Sequence, residues 1–284
     1  MKIAFLFLII DDVYFPDIWE YYFKNNYDNI SIYCHPKNPD KVKTHWLKNN
    51  IIENLTKTKW GHFTDAIINL LKSALLDDQN QKFIIVSESC LPIKSFNILY
   101  NMLKNDNINT SYIKLRTFED YNIKSINDSF DYKLIKHSGW FCLSRHHVKK
   151  LLVNKTIHLF NKIIAGDEHL LSILYPSNNI KNFEITYSNW EANKKQINII
   201  TKKLKELYIL KETKNTEIYN TDILNLRIKK SILGKHPKTY NKINNHELNE
   251  IKNSSSFFYR KFSQDSNIIT KYKNASYDFE ISNS

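Results

Sequence analysis

An α/β fold on a largely parallel, buried sheet is what the sequence predicts, and two patterns in residues 1–90 carry the expectation. Short runs of uninterrupted apolar residues alternate with stretches of helical period, the layout of β-α-β units whose strands are covered on both faces. At 284 residues, 33.8 kDa and 42% apolar content, the chain can also bury one sizeable core as a single domain. Its 25% charged residues leave it too hydrophobic for disorder.

Ile3–Ile10 is the first strand, an apolar run closed by Asp11 and Asp12. Phe15–Lys24 has Pro16 near a helix start and aromatics at helical spacing, and Ile30–His35 returns as a second strand. Thr64–Leu76 places Ile67, Leu70, Leu71, Ala74 and Leu75 on one helix face, and Phe83–Val86 is a third buried strand running into Ser87–Pro92. Ser95 is expected to cap another helix, and Tyr112–Leu115 to form a strand ahead of a polar, irregular stretch near 117–133. Gly139–Leu143 reads as a strand with a helix opening at Arg145 or His146, and Asp167 as the N-cap of a helix Glu168–Leu174 ended by Pro176. Ile185–Trp190 is a short strand. Lys194–Lys235 is a Lys-rich insertion or mobile lid containing a helix at Ile199–Leu210. A last helix at His246–Lys252 precedes Phe257–Phe262, and residues after about 265 are expected to be a ragged tail.

Composition excludes several classes. Four glycines do not supply a G-x-G-x-x-G dinucleotide fingerprint. Three well-separated cysteines, Cys34, Cys90 and Cys142, make neither a disulfide framework nor a CxxC zinc site, and point to a reducing compartment. Ten scattered histidines give no metal-ligand spacing. The first apolar run is far shorter than the roughly 20 residues of a spanning helix, so no transmembrane anchor or signal peptide is expected. The net charge of +12 allows an anionic partner, but the lysines are spread along the chain and no nucleic-acid motif accompanies them, so nucleic acid is not an expected partner.

Nine segments then occur in order: KIAFLFLI, SIYCHPK (31–37), KWGHF (59–63), ALLDDQNQKFIIVSESCLPI (74–93), GWFCLSR (139–145), DEHLLSILYP (167–176), TYSNW (186–190), HPKTY (236–240) and FFYRKF (257–262). Together they resemble the core-2/I-branching β-1,6-N-acetylglucosaminyltransferase family, whose superfamily includes peptide O-xylosyltransferases and plant, bacterial and viral relatives. The resemblance implies a single-domain GT-A-type glycosyltransferase over residues 1–264. Its Rossmann-like nucleotide-binding half would span about 1–116 and its acceptor half about 134–264, with the 194–235 insertion and a 265–284 tail. It implies a soluble, cytoplasmic protein of the bacterial or viral kind, a UDP-sugar donor, a glycan or glycoprotein acceptor, and inverting transfer of N-acetylglucosamine or xylose with no metal or other cofactor.

The residues fit that implication in part. No two aspartates stand at i, i+2, so the Asp-x-Asp cation site of most GT-A enzymes is missing, and fixed cations must neutralise the departing diphosphate. The family match assigns donor contacts to Lys261 with Arg260 beside it, then to His236 and Lys238; by residue type alone these are equally a solvated basic patch. Glu168 falls on the family's general base, but a first-turn helix carboxylate stabilised by the macrodipole accounts for it as well. Glu88, directly after a buried strand, is an acceptor contact or an exposed loop carboxylate. Trp190 and Trp140 are acceptor-stacking or core residues. By the resemblance the uridine contact is the loop after the second strand, His35 to Lys37, which lacks the Asp of animal members; His35 and the later Trp60 are the candidates. A protein that kept the fold and binds a sugar nucleotide or carbohydrate without turnover is the alternative reading.

Overall fold

The computed structural model describes residues 1–116, 134–175, 177–214, 223, 226, 227, 230, 236–273 and 276–281. Its centre is a mixed, parallel-rich sheet of six strands in the order β2-β1-β3-β6-β5-β7: β1 (Lys2–Ile9), β2 (Ile30–Pro36), β3 (Asn80–Val86), β5 (Ser111–Tyr112), β6 (Cys142–Ser144) and β7 (Ile180–Lys181). β1 pairs in parallel with β2 and β3, with Phe5 opposite Ile32 and Ile84. β6 runs antiparallel to β3 and β5.

Alternation along β1 decides what covers each face. Ile3, Phe5 and Phe7 point to the face closed by α1 (Pro16–Phe23) and α3 (Phe96–Asn105), joining Trp19, Phe23, Leu99 and Leu103. Ala4 and Leu6 point to the face closed by α2 (Thr64–Leu75) and α4 (Arg145–Leu152), joining Ile67, Leu70, Leu71, Val148 and Leu151. Ser144 caps α4 by accepting from the His147 N–H. Arg145 donates to the carbonyls of Leu75, Asp77 and Asn80, tying α4 to the connection between α2 and β3.

A second sheet, β4 (Leu91–Pro92), β9 (Phe258–Arg260) and β8 (Thr186–Ser188) in the order β4-β9-β8, sits against the first core face. Phe258 stacks on Trp19, centroids 5.9 Å apart and planes at 18°. The residues after β9 are held on both sides: Phe262 N–H donates to the Ser89 carbonyl (3.1 Å), and the Lys261 carbonyl accepts from Tyr240 N–H (2.8 Å).

Several expectations are corrected. Ser95 occupies an N-cap position but its side chain makes no capping bond. Asp167 caps nothing, and no α-helix follows it: residues Gly166–Glu168 and Leu170–Leu174 form two 3₁₀ turns, entered through Ala165 in the left-handed region (φ 56°). The helix expected at 199–210 is longer, α5 at Glu191–Lys214, because its Lys, Glu and Gln content favours helix on both sides of the apolar stripe. Ile200, Leu204 and Leu207 of α5 pack with Ile223 and Leu226. Most of 215–235 and the stretch 117–133 lie outside the described residues. The segment read as a tail carries an antiparallel pair, β10 (Ile268–Lys273) and β11 (Ser276–Ile281), anchored by Ile268, which is buried with Tyr240 and with Leu248 and Ile251 of α6 (Asn245–Lys252).

The turn at 165–168 has no room to relax. A Cβ on Gly166 would sit 2.0 Å from the Phe160 carbonyl oxygen. Gly166→Ala is therefore expected to destabilise the protein by at least about 1–3 kcal/mol, the cost of overpacking, measured by urea unfolding; unchanged stability would show that the turn can move.

Candidate active site

The loop Ser87–Cys90 leaves the carboxyl end of β3, where ligands of α/β sheets collect. Glu88 in this loop is buried (8% exposed), so it is not the solvated carboxylate that a loop position suggests. The backbone bonds around β9 bring two cations to it. Burial raises the Glu88 carboxyl, and Arg260 and Lys261 oppose that rise. Burial lowers Arg260, while Cys90, Glu88 and Glu168 favour its charged form. Its guanidinium lies over the Trp140 ring, 4.1 Å from the centroid, and its Nε has no hydrogen-bond partner among the described residues. Burial and then repulsion from Arg260 lower Lys261, with Glu88 opposing. Two partly buried cations thus share one nearby buried carboxylate, an arrangement that leaves positive charge for an anion to neutralise.

Glu168 lies within electrostatic reach of Arg260, which joins the two halves of the sequence prediction in one place. Its carboxylate pairs with Lys136 at 3.1 Å. With no α-helix behind it, the macrodipole explanation for this residue falls away. Its turn is pinned by His137. The His137 N–H donates to the Glu168 carbonyl (2.8 Å), and the buried ring accepts from Leu171 N–H at Nε2 (3.0 Å) while Nδ1–H donates to the Ser138 carbonyl (2.8 Å). Burial pushes this imidazole down to about 3, so it is neutral and its tautomer is fixed by those bonds.

The other predicted residues divide. Trp60 is exposed and meets the His236 ring edge-on at 6.4 Å, bringing two donor candidates together. A cleft of about 330 Å³ beside them is lined by Thr56, Thr58, Lys59, His62 and Thr64. His35 is fully buried and accepts from Thr56 N–H (2.9 Å), so it acts on that cleft only by holding its wall. Lys238 is spent on Glu247 and lies over the Tyr240 ring at 4.8 Å, which makes it a structural cation. Trp140 is partly core, packed between both faces of the sheet as well as under Arg260. Trp190 is half-buried beneath the Arg116 guanidinium, 5.8 Å from its ring centroid.

Arg116, Lys136, His137 and Asp167 are site residues that sequence reasoning missed. One signal was present for Arg116: only four of the 41 basic residues are arginine (116, 145, 227 and 260), and two of those lie over tryptophans. Among the described residues, no three His, Cys, Asp or Glu side chains gather as a metal cluster.

Asp167 is half-buried with its carboxyl close to Gly139, and its Oδ1 is shut off from solvent with no partner among the described residues. Burial, reinforced by the Glu168 carboxylate, pushes its carboxyl up to about 7. An acid raised on folding stabilises fully below its unfolded pKa and loses that contribution as pH rises through the folded one. Asp167→Asn is therefore expected to gain stability relative to wild type from about pH 4 to about pH 7 and to hold the gain above, by up to about 4 kcal/mol. Parallel pH profiles in urea melts would contradict the assignment.

The family model of the Core-2/I-Branching enzyme matches residues 3–255. Glycosyltransferase BC10 of Oryza sativa subsp. japonica is 26% identical over 170 residues, 55% of this chain and 41% of that protein, so the match spans about two-fifths of the relative's length. A solved structure, "Crystal Structure of A197 from STIV", matches 55% of this chain and 70% of its own at 12% identity, with a TM-score of 0.32, too low to inform the fold. Among the described residues no helix is long and apolar enough to cross a membrane. The family match over nearly the whole chain, on a mixed α/β fold compatible with a single-domain GT-A-like enzyme, establishes that this chain belongs to the Core-2/I-branching enzyme family of glycosyltransferases.

Proposed function

We propose that the protein transfers N-acetylglucosamine or xylose from a UDP-sugar to a hydroxyl of a glycan or glycoprotein, with inversion and without a metal. The observation that carries this reading is the pair Arg260 and Lys261 beside buried Glu88, with Glu168 in electrostatic reach. Fixed cations in a partly dry site stabilise the charge that grows on a departing diphosphate, the task a divalent ion performs elsewhere. The nucleoside end would lie at the cleft beside Trp60 and His236, and the acceptor between Glu88 and Trp190.

In this scheme the acceptor oxygen attacks the anomeric carbon from the face opposite the diphosphate. The bond from that carbon to the diphosphate oxygen breaks, and UDP leaves with the electron pair. The acceptor proton passes to Glu168, the single general base that an inverting transfer requires. Lys136 holds the carboxylate in place before the acceptor arrives, and His137 fixes the turn that carries it.

Glu168→Gln keeps shape and hydrogen-bonding reach but removes the proton acceptor. It is expected to leave UDP affinity unchanged and to lower turnover by roughly 10² to 10⁴, measured with UDP-N-acetylglucosamine and UDP-xylose against a panel of p-nitrophenyl glycosides. Wild-type turnover in the variant would remove Glu168 from the chemistry. Donor binding without transfer by either protein would favour the non-catalytic binding protein.

A further inference from the structure

A cleft of about 470 Å³ lies against the face of the three-stranded sheet that carries Tyr187 of β8 and Tyr259 of β9. Small-molecule sites typically enclose about 300–1,000 Å³. Alternation in β8 turns Thr186 and Ser188 inward and leaves Tyr187 on the other face, in the cleft wall. Because Ser188 pairs with Arg260 and Tyr187 with Tyr259, this wall faces away from the Arg260 site. The Tyr187 ring is backed by Tyr259, centroids 4.9 Å apart.

The polar groups around Tyr187 are unusual for so basic a chain. In a protein of net charge +12, the cleft presents two carboxylates, Glu184 and Glu250, against one ammonium, Lys114. Burial and neighbouring groups, Glu184 and Glu250 among them, raise the Tyr187 phenol, so its hydroxyl remains a donor at neutral pH. Burial raises the Glu184 carboxyl, against the pull of Arg116 and Lys114. An aromatic face with partial negative charge suits the C–H face of a sugar ring, and carboxylate, amide and hydroxyl groups at its rim suit the sugar's hydroxyls. The excess of carboxylates disfavours anions. Although it lies on the opposite face of this sheet from Arg260, the cleft neighbours Trp190: Asn189 lines it, the next residue is Trp190, and Arg116 over Trp190 acts electrostatically on Glu184.

We propose that this cleft is an oligosaccharide subsite that takes the uncharged, non-reacting sugars of the acceptor, with Tyr187 as stacking platform and Glu184 and Glu250 as hydroxyl acceptors. This rests on the reading of Trp190 as an acceptor contact. Saturation-transfer NMR on the full chain tests it with chitotriose, cellotriose and xylotriose as neutral probes, trigalacturonic acid as an anionic one, and UDP titrated separately. At least one neutral trisaccharide should bind. Tyr187→Ala and Glu184→Gln should each weaken that binding at least tenfold and leave UDP affinity unchanged; the near-isosteric Glu184→Gln decides the matter if Tyr187→Ala does not fold. Absence of neutral trisaccharide binding, stronger binding of trigalacturonic acid, or an unchanged affinity in Glu184→Gln would overturn the subsite. Trisaccharide binding that responds to the variants in a protein that does not bind UDP would instead sink the transferase reading and leave a sugar-binding cleft.

Discussion

Two neighbouring cations within electrostatic reach of one buried carboxylate set the electrostatics on which this site depends. Arg260 and Lys261 repel each other, and removal from water adds to the cost. Glu88 offsets part of it, and Trp140 part of it by stacking under the guanidinium. The remaining strain is borne by backbone: β9 is paired with β4 on one side and β8 on the other, and the residues after it bond to Ser89 and Tyr240. The Phe258–Trp19 contact ties that small sheet to the main core, so the charge pair is held by the same packing that stabilises the fold.

The second half of the site is positioned by different means. Glu168 stands on a 3₁₀ turn with a left-handed Ala165 before it, and a turn of this kind has little stability of its own. Two bonds, from His137 N–H to the Glu168 carbonyl and from Leu171 N–H to the His137 ring, together with the close approach of Gly166 to Phe160, supply what an α-helix would otherwise provide. A neutral, doubly committed imidazole suits that task because its bonding pattern does not change across the working pH range.

Much of this was legible in the sequence where a local pattern has a single physical solution. The apolar runs of β1 to β3 and the helical period of α2 fix the parallel core, and the segments around Glu88, Glu168 and Arg260 are recognisable as residues. Their mutual placement was not, because it arises from backbone bonds between segments far apart in the chain. Lys238 and Lys261 look alike as lysines in a basic chain, and only the fold pairs one with Glu247 and brings the other within electrostatic reach of Arg260 and Glu88. His35 looked like a ligand residue because the sequence does not reveal that Thr56 folds back over it. Asp167 resembled an N-cap because Asp before an apolar run usually is one; the left-handed residue ahead of it diverts the chain and buries the carboxyl instead.

On the proposed reading, side-chain cations and not a divalent ion hold the diphosphate. Calorimetric titration of UDP and of uridine into the protein in excess EDTA tests it most directly, with Lys261→Ala measured in parallel. UDP is expected to bind without metal and more tightly than uridine, and Lys261→Ala to weaken UDP by about 10- to 100-fold, the worth of one charge-assisted bond, while leaving uridine unchanged. UDP binding that requires added Mn²⁺ or Mg²⁺, or that is indifferent to the loss of Lys261, would contradict it.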